Sequence, residues 1–246
     1  PGGEDPWEAI GLAAVALASF ARGHVVDADA TRSHAEDLLR MLGGDSSPPL
    51  VRALDTYLVT VVDHGMNAST FAARVVASTG SDLRSCLVAG VGALKGPLHG
   101  GAPGPVLDML DAVAAAPSAA EADVDAHVSD GRSLERDVAR ARAFVERELD
   151  AGRRIMGMGH RIYRVRDPRA FVLERAVEKL PPTPRLALAR LVEREAEAAL
   201  ARRHPERALK ANVEFFTAVL LDAIGVERAL FSGLFACSRI VGWCAH

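Results

Sequence analysis

Aromatic side chains are scarce in this chain, only 5% of its 246 residues. No stretch sustains the apolar–polar alternation of a half-buried strand, which argues against a sheet-built core. Cysteine is nearly absent. Cys86, Cys237 and Cys244 are odd in number and far apart, so they read as reduced, buried thiols of an intracellular protein, not as a disulfide framework or a zinc cluster. Charge of neither sign dominates: the formal net charge of −3 announces no basic face for nucleic acid. Apolar runs are broken by charge or glycine before they reach membrane-spanning length, and the first residues do not form a signal peptide. The expected setting is cytoplasmic, with neither nucleic acid nor membrane as partner. The chain begins at Pro1 without a methionine, so this start need not be the natural one.

Alanine, leucine, arginine and glutamate dominate what remains, and the pattern is helix after helix. Residues 7–22 are Ala/Leu-rich and nearly uncharged, a helix expected to be buried. Asp27 or Asp29 is placed to cap a second helix that stops at Gly43-Gly44. Ser47-Pro48-Pro49 opens a third, to about residue 63. Asn67 and Ser81 are the expected caps of helices running to about Ser78 and Leu94. A short helix over 104–115 precedes an acidic, Ala-rich stretch to about Asp130. Leu134, Val138, Ala141, Val145 and Leu149 mark an amphipathic helix that ends at Gly152. Pro181-Pro182 separates two further helices. The last two, 213–224 and 227–244, are apolar on nearly all faces. The fold class is all-α.

Four places carry candidate chemistry. Lys95-Gly96-Pro97-Leu98-His99-Gly100-Gly101 is a rigid turn presenting one histidine, either a surface turn or a site that lets a ligand approach the imidazole. Gly157-Met158-Gly159-His160 leads into Arg161, Arg164, Arg166 and Arg169. Arginines this dense suit a multiply anionic ligand, the alternative being a solvated basic loop. Glu214 sits between Val213 and Phe215 in a core helix, where a carboxylate must be paired or used. Burial raises its pKa while the first helical turn lowers it, opposing influences that suit a general base. Arg239 is the only charge in its apolar segment and needs an anion, either Glu214 or a ligand carboxylate. His64, at a helix end before Gly65, joins the set. No pair among His64, His99, His160 and Glu214 stands at the i, i+3 or i, i+4 spacing of helical metal ligands, so no metal is expected.

Gly-Pro-Leu-His-Gly-Gly at 96–101, Gly-His-Arg-Ile-Tyr-Arg at 159–164, Asp-Pro-Arg at 167–169, Asn-Val-Glu-Phe-Phe at 212–216 and Ser-Arg-Ile-Val-Gly-Trp at 238–243 follow Asp-His-Gly-Met-Asn-Ala-Ser-Thr at 63–70. In kind and order these motifs resemble the citrate synthase family, from about residue 50 to the end. The resemblance implies an all-α homodimer whose smaller domain closes over the substrates. Residues 1–102 and 226–246 would form the large domain and 103–225 the small one. It implies condensation of acetyl-CoA with oxaloacetate to citrate and CoA, with no cofactor besides the substrates. His99 then matches the histidine that stabilises the enol, and Glu214 the base, where the family usually has aspartate. His160 matches the histidine that polarises the ketone. His64, Arg169 and Arg239 match oxaloacetate-binding residues, and Arg164 the contact to CoA phosphate.

Gly65 also departs from the family, standing where an acidic residue is common. Family members extend beyond both ends of these residues, and their C-terminal segment carries an arginine that reaches into the partner's site. Two other readings accompany the citrate synthase one. A 2-methylcitrate synthase would accept propionyl-CoA, one methylene larger. A non-catalytic relative would bind CoA or a dicarboxylate.

Overall fold

The computed structural model describes residues 5–96, 99–100, 103–116, 130–160, 163 and 165–246. Its described residues form eleven α-helices, one short 3-10 turn and no strand. The acidic, Ala-rich stretch before Asp130 falls largely outside them.

Helix α1 (Pro6–Arg22) starts where the Asp5 carboxylate accepts the Trp7 amide at 2.9 Å, and it ends at Gly23. Contrary to expectation this helix is not buried: among its residues only Ala14 and Ala18 are buried, while Trp7 and Phe20 are 76% and 79% exposed. One face packs on the core, and the opposite apolar face is bare in the single chain. An apolar groove of about 450 Å³ opens along it, lined by Leu12, Leu87, Val88 and Val91.

Helix α2 (His34–Leu42) is capped by Ser33, not by Asp27 or Asp29. The Asp29 carboxylate is already taken by Thr31 and Arg32, and its backbone amide bonds Asp37 at 2.9 Å. Helix α3 (Pro48–Val61) opens with prolines after Ser47, as expected. Asn67 caps α4 (Ala68–Ala77) with bonds to Ser69 and Thr70, whereas α5 (Leu83–Leu94) is capped by Asp82, one residue beyond the expected Ser81. Then follow α6 (Pro103–Ala115), α7 (Asp130–Asp150), α8 (Pro168–Val177), α9 (Pro184–Arg203) and α10 (Val213–Ala223). The final apolar segment is split into a 3-10 turn (Arg228–Leu230) and α11 (Phe231–Ala245). Of the cysteines, Cys86 and Cys237 are buried and Cys244 is half-buried, all free.

Helices α3, α8, α10 and α11 form the middle of the molecule. On α3, Ala53, Leu54, Tyr57, Leu58 and Val61 repeat at helical spacing and are buried against α8 and α11. Helix α10 packs on α8, α6 and α3, with Phe215 and Phe216 wholly buried, each worth about 2–3 kcal/mol in apolar area removed from water. Two glycines permit close approaches. A Cβ on Gly242 would lie 2.4 Å from the Val62 carbonyl oxygen, so glycine lets α11 press on the end of α3. Gly157 has φ +74°, and a Cβ there would stand 2.9 Å from Phe215 Cβ. The loop before α8 is thereby held against α10.

Candidate functional site

The two loops that carry His160 and lead into Glu214 are laced together. An isolated bridge pairs Met158 with Ala211. The Gly159 amide donates to the Lys210 carbonyl at 2.7 Å, and the Asn212 amide to the Gly157 carbonyl at 2.9 Å. The Asn212 side chain donates to the Gly159 carbonyl at 3.0 Å while its oxygen accepts the Glu214 amide, also at 3.0 Å. One asparagine thus caps α10 and fixes the turn presenting His160.

Asp167 caps α8, and its wholly buried carboxylate accepts Arg169 Nε at 3.1 Å and Nη2 at 2.8 Å. Arg169 in turn brings Nη2 to 3.4 Å from His160 Nε2 and lies 5.9 Å from the Tyr163 ring centre. His64, His160 and Tyr163 form a ring cluster, with centroids 5.3 Å apart for His64–His160 and 4.7 Å for His160–Tyr163. Helix α11 delivers Arg239 to the same neighbourhood. Its Nε donates to the Val61 carbonyl at 2.8 Å, at the end of the helix that precedes His64.

The electrostatics follow from burial. Desolvation, with the Arg169 and His160 charges next, pushes His64 down to about 4. Its buried Nε2 has no hydrogen-bond partner among the described residues. His160 is lowered by burial and by Arg169. The Tyr163 backbone amide donates to His160 Nδ1 at 3.2 Å, a closer contact than the 3.4 Å approach of Arg169 Nη2 to Nε2, and it favours the neutral tautomer with its proton on Nε2 over the one Arg169 would select. That ring is a neutral hydrogen-bond donor at pH 7. Burial pushes Glu214 up to about 7, against the pull of Arg169 and Arg154 and with the help of Asp167. Burial lowers Arg239 to about 10, with the Arg169 charge adding to it. Among the described residues Arg239 makes no ion pair, so of its two expected partners Glu214 is not met in this structure.

His99 ends the turn after α5, its amide bonded to the Gly96 carbonyl at 2.9 Å. Its Nε2 lies 2.9 Å from Ser69 Oγ, in the first turn of α4. The hydroxyl in turn donates to Asn67 Oδ1 at 2.7 Å. His64, His160, Arg169, Arg239 and Glu214 therefore share one electrostatic neighbourhood, and His99 is anchored on the helix that follows His64. Arg164 lies outside the described residues. Ser69, Asp167 and Asn212 were not singled out as site residues in the sequence. All three stood inside quoted motifs, but the partners that reveal the roles of Ser69 and Asn212 are 30 and 53 positions away. Among the described residues no group of three or more His, Cys, Asp or Glu is placed to hold a metal ion. Nor is any helix among them long and apolar enough to cross a membrane.

Comparison with known proteins points one way. The profile described as citrate synthase, C-terminal domain, matches residues 8–246. The citrate synthase of Deinococcus radiodurans is 35% identical over 222 residues, 90% of this chain and 53% of that protein. The chain spans about half the length of the curated relatives it matches. Among solved structures, the citrate synthase of Thermotoga maritima superposes with a TM-score of 0.75 at 32% identity, covering 96% of this chain and 59% of that one. The citrate synthase of the thermophilic archaeon Thermoplasma acidophilum superposes as well.

 That structure, a complex with carboxymethyl coenzyme A and oxaloacetate, superposes with a TM-score of 0.77 at 27% identity, covering 98% of this chain and 60% of that one.

Proposed function

Because the chain belongs to the citrate synthase family, we propose that it carries the condensing site of a citrate synthase, which joins acetyl-CoA to oxaloacetate and releases citrate and CoA. The observation that carries this reading is a carboxylate raised to about 7 in the same electrostatic neighbourhood as two neutral imidazoles and two arginines. A thioester α-proton is weakly acidic, so removing it takes a base and a donor to the forming enolate acting together in a dry site.

Glu214 removes the methyl proton, and His99 donates from Nδ1 to the developing enolate oxygen once the Ser69 hydroxyl turns from Asn67 to donate to its Nε2. His160 donates from Nε2 to the ketone oxygen of oxaloacetate, making its carbon a better electrophile. Arg169, Arg239 and His64 hold the dicarboxylate; Arg239, buried without an ion pair among the described residues, gains the anion it lacks. The enol carbon attacks the ketone carbon, His160 yields its proton to the new alkoxide, and water then cleaves the thioester of citryl-CoA. Arg164 is assigned to CoA phosphate by the resemblance. The chemistry calls on no cofactor beyond the two substrates.

We assign residues 103–225 to a smaller domain and the remainder to a larger one. The lacing of residues 157–159 to 210–212 supports moving His160, Arg169 and Glu214 together, against His64, His99 and Arg239. A homodimer fits the bare apolar side chains on α4 and α5, Phe71, Val75, Val88 and Val91. The free cysteines suit a cytoplasmic setting.

The test is release of free CoA thiol from acetyl-CoA by the full-length protein, with and without oxaloacetate, repeated with propionyl-CoA. Oxaloacetate-dependent release with a higher kcat/KM for acetyl-CoA is the expected result. Preference for propionyl-CoA would instead indicate 2-methylcitrate synthesis. No release would leave a non-catalytic binding protein.

A further inference from the structure

We propose that Asp167 is a positioning residue that fastens Arg169 and the helix bearing Glu214 to a single buried carboxylate, so that the group holding one substrate and the group deprotonating the other keep one fixed relation. This rests on the citrate synthase reading above.

The geometry is specific. Oδ1 accepts the Arg169 amide at 2.9 Å and Arg169 Nε at 3.1 Å. Oδ2 accepts Arg169 Nη2 at 2.8 Å and, from the other side, the Val213 amide at 3.2 Å. Val213 is the first residue of α10, directly before Glu214. The Asp167 amide also donates to the Ala211 carbonyl at 3.1 Å, so the tie between the two elements is double. The side chain is 0% exposed, so its oxygens are closed to bulk solvent. Burial alone would favour the protonated acid, but the bond and charge of Arg169 and the backbone amides outweigh it and keep the carboxyl ionised.

A cap for α8 needs only one of these bonds. The others serve Arg169 and α10. Bidentate capture by Asp167 fixes the guanidinium plane and leaves Nη1 for an incoming carboxylate. A ligand that draws on Arg169 therefore acts, through one carboxylate, on the first turn of α10. The Asp167 charge also favours the protonated form of Glu214, and Arg169 opposes it. Removing the Asp167 charge is expected to shift the acid limb of kcat towards lower pH.

The experiment compares the full-length parent with Asp167→Asn and Asp167→Glu, recording KM for oxaloacetate, kcat from pH 5.5 to 9, and Tm. For Asp167→Asn the expected result is a KM raised about tenfold or more and an acid limb displaced downward. Asp167→Glu keeps the charge, so its limb stays with the parent's even where its KM rises. A fall in Tm with KM and the limb unmoved would overturn the proposal, leaving a structural cap. Equal displacement of the limb in both variants would also overturn it, because solvent entry would then be the cause. A parent without oxaloacetate-dependent release refutes the proposed function instead. Calorimetric titration with oxaloacetate then decides the positioning role. About tenfold weaker binding by Asp167→Asn supports it; equal binding, or none by the parent, overturns it.

Discussion

Shortening Glu214 to aspartate withdraws its carboxylate by about 1.5 Å, one carbon–carbon bond. The backbone has no freedom to follow. The Val213 amide is held by Asp167 at 3.2 Å, the Glu214 amide by Asn212 at 3.0 Å, and Phe215 and Phe216 are wholly buried behind them. A misplacement on the order of 1 Å costs about 100-fold in rate, equivalent to about 2.7 kcal/mol of barrier. Glu214→Asp is therefore expected to lower kcat about 100-fold although aspartate is the family's usual base. Burial holds Glu214 at about 7, and only the ionised form accepts a proton. The parent's kcat should fall below neutrality, half-lost near pH 7, and level off above about pH 8. The assay is steady-state CoA release at saturating substrates from pH 5.5 to 9, with the variant compared on the plateau so that a moved limb is not mistaken for a lost rate. Plateau activity equal to or above the parent's would refute the reasoning, showing that the site is not built around the longer side chain. A parent limb centred below pH 6 would refute the assigned environment of Glu214.

Ser69→Ala removes the hydroxyl 2.9 Å from His99 Nε2; kcat should fall about tenfold, the value of one hydrogen bond, with KM for oxaloacetate little changed in the same assay. Arg239→Met deletes a buried cation that has no ion pair among the described residues. Thermal unfolding should show a Tm at or above the parent's, while the upward shift of Tm on adding oxaloacetate disappears; a retained shift would contradict its role. Val88→Asp places a charge on an exposed position of the bare apolar face, 71% accessible. Sedimentation should show monomer where the parent is dimer, and an unchanged dimer would move the interface elsewhere.

Much of the helical architecture is local and was legible in the chain. The proline opening at Pro48, the Asn67 cap and the stops at Gly43 and Gly152 bound the helices within a residue or two, because capping and backbone freedom depend on a few neighbouring residues. The misplaced caps show the limit. Asp27 or Asp29 was the expected cap of α2, but the Asp29 carboxylate is taken by Thr31 and Arg32 and its amide by Asp37, eight positions on, and Ser33 caps the helix. The apolar character of α1 was equally plain, but apolarity does not say what covers a face, and within one chain little does.

Residue identity determined which chemistry was available: the imidazoles, the guanidiniums and a carboxylate set in an apolar helix were all readable, and so was their family order. Their mutual geometry was not. Ser69 meets His99 across 30 positions, Asp167 meets Val213 across 46, and Arg239 meets Val61 across 178. Those pairings exist because α4, α8, α10 and α11 pack as they do, and packing is settled by the whole set of buried faces at once. The same holds for charge state. That Glu214 is a carboxylate is written in the chain; that burial outweighs Arg169 and Arg154 and sets it at about 7 was decided only when the helices closed around it.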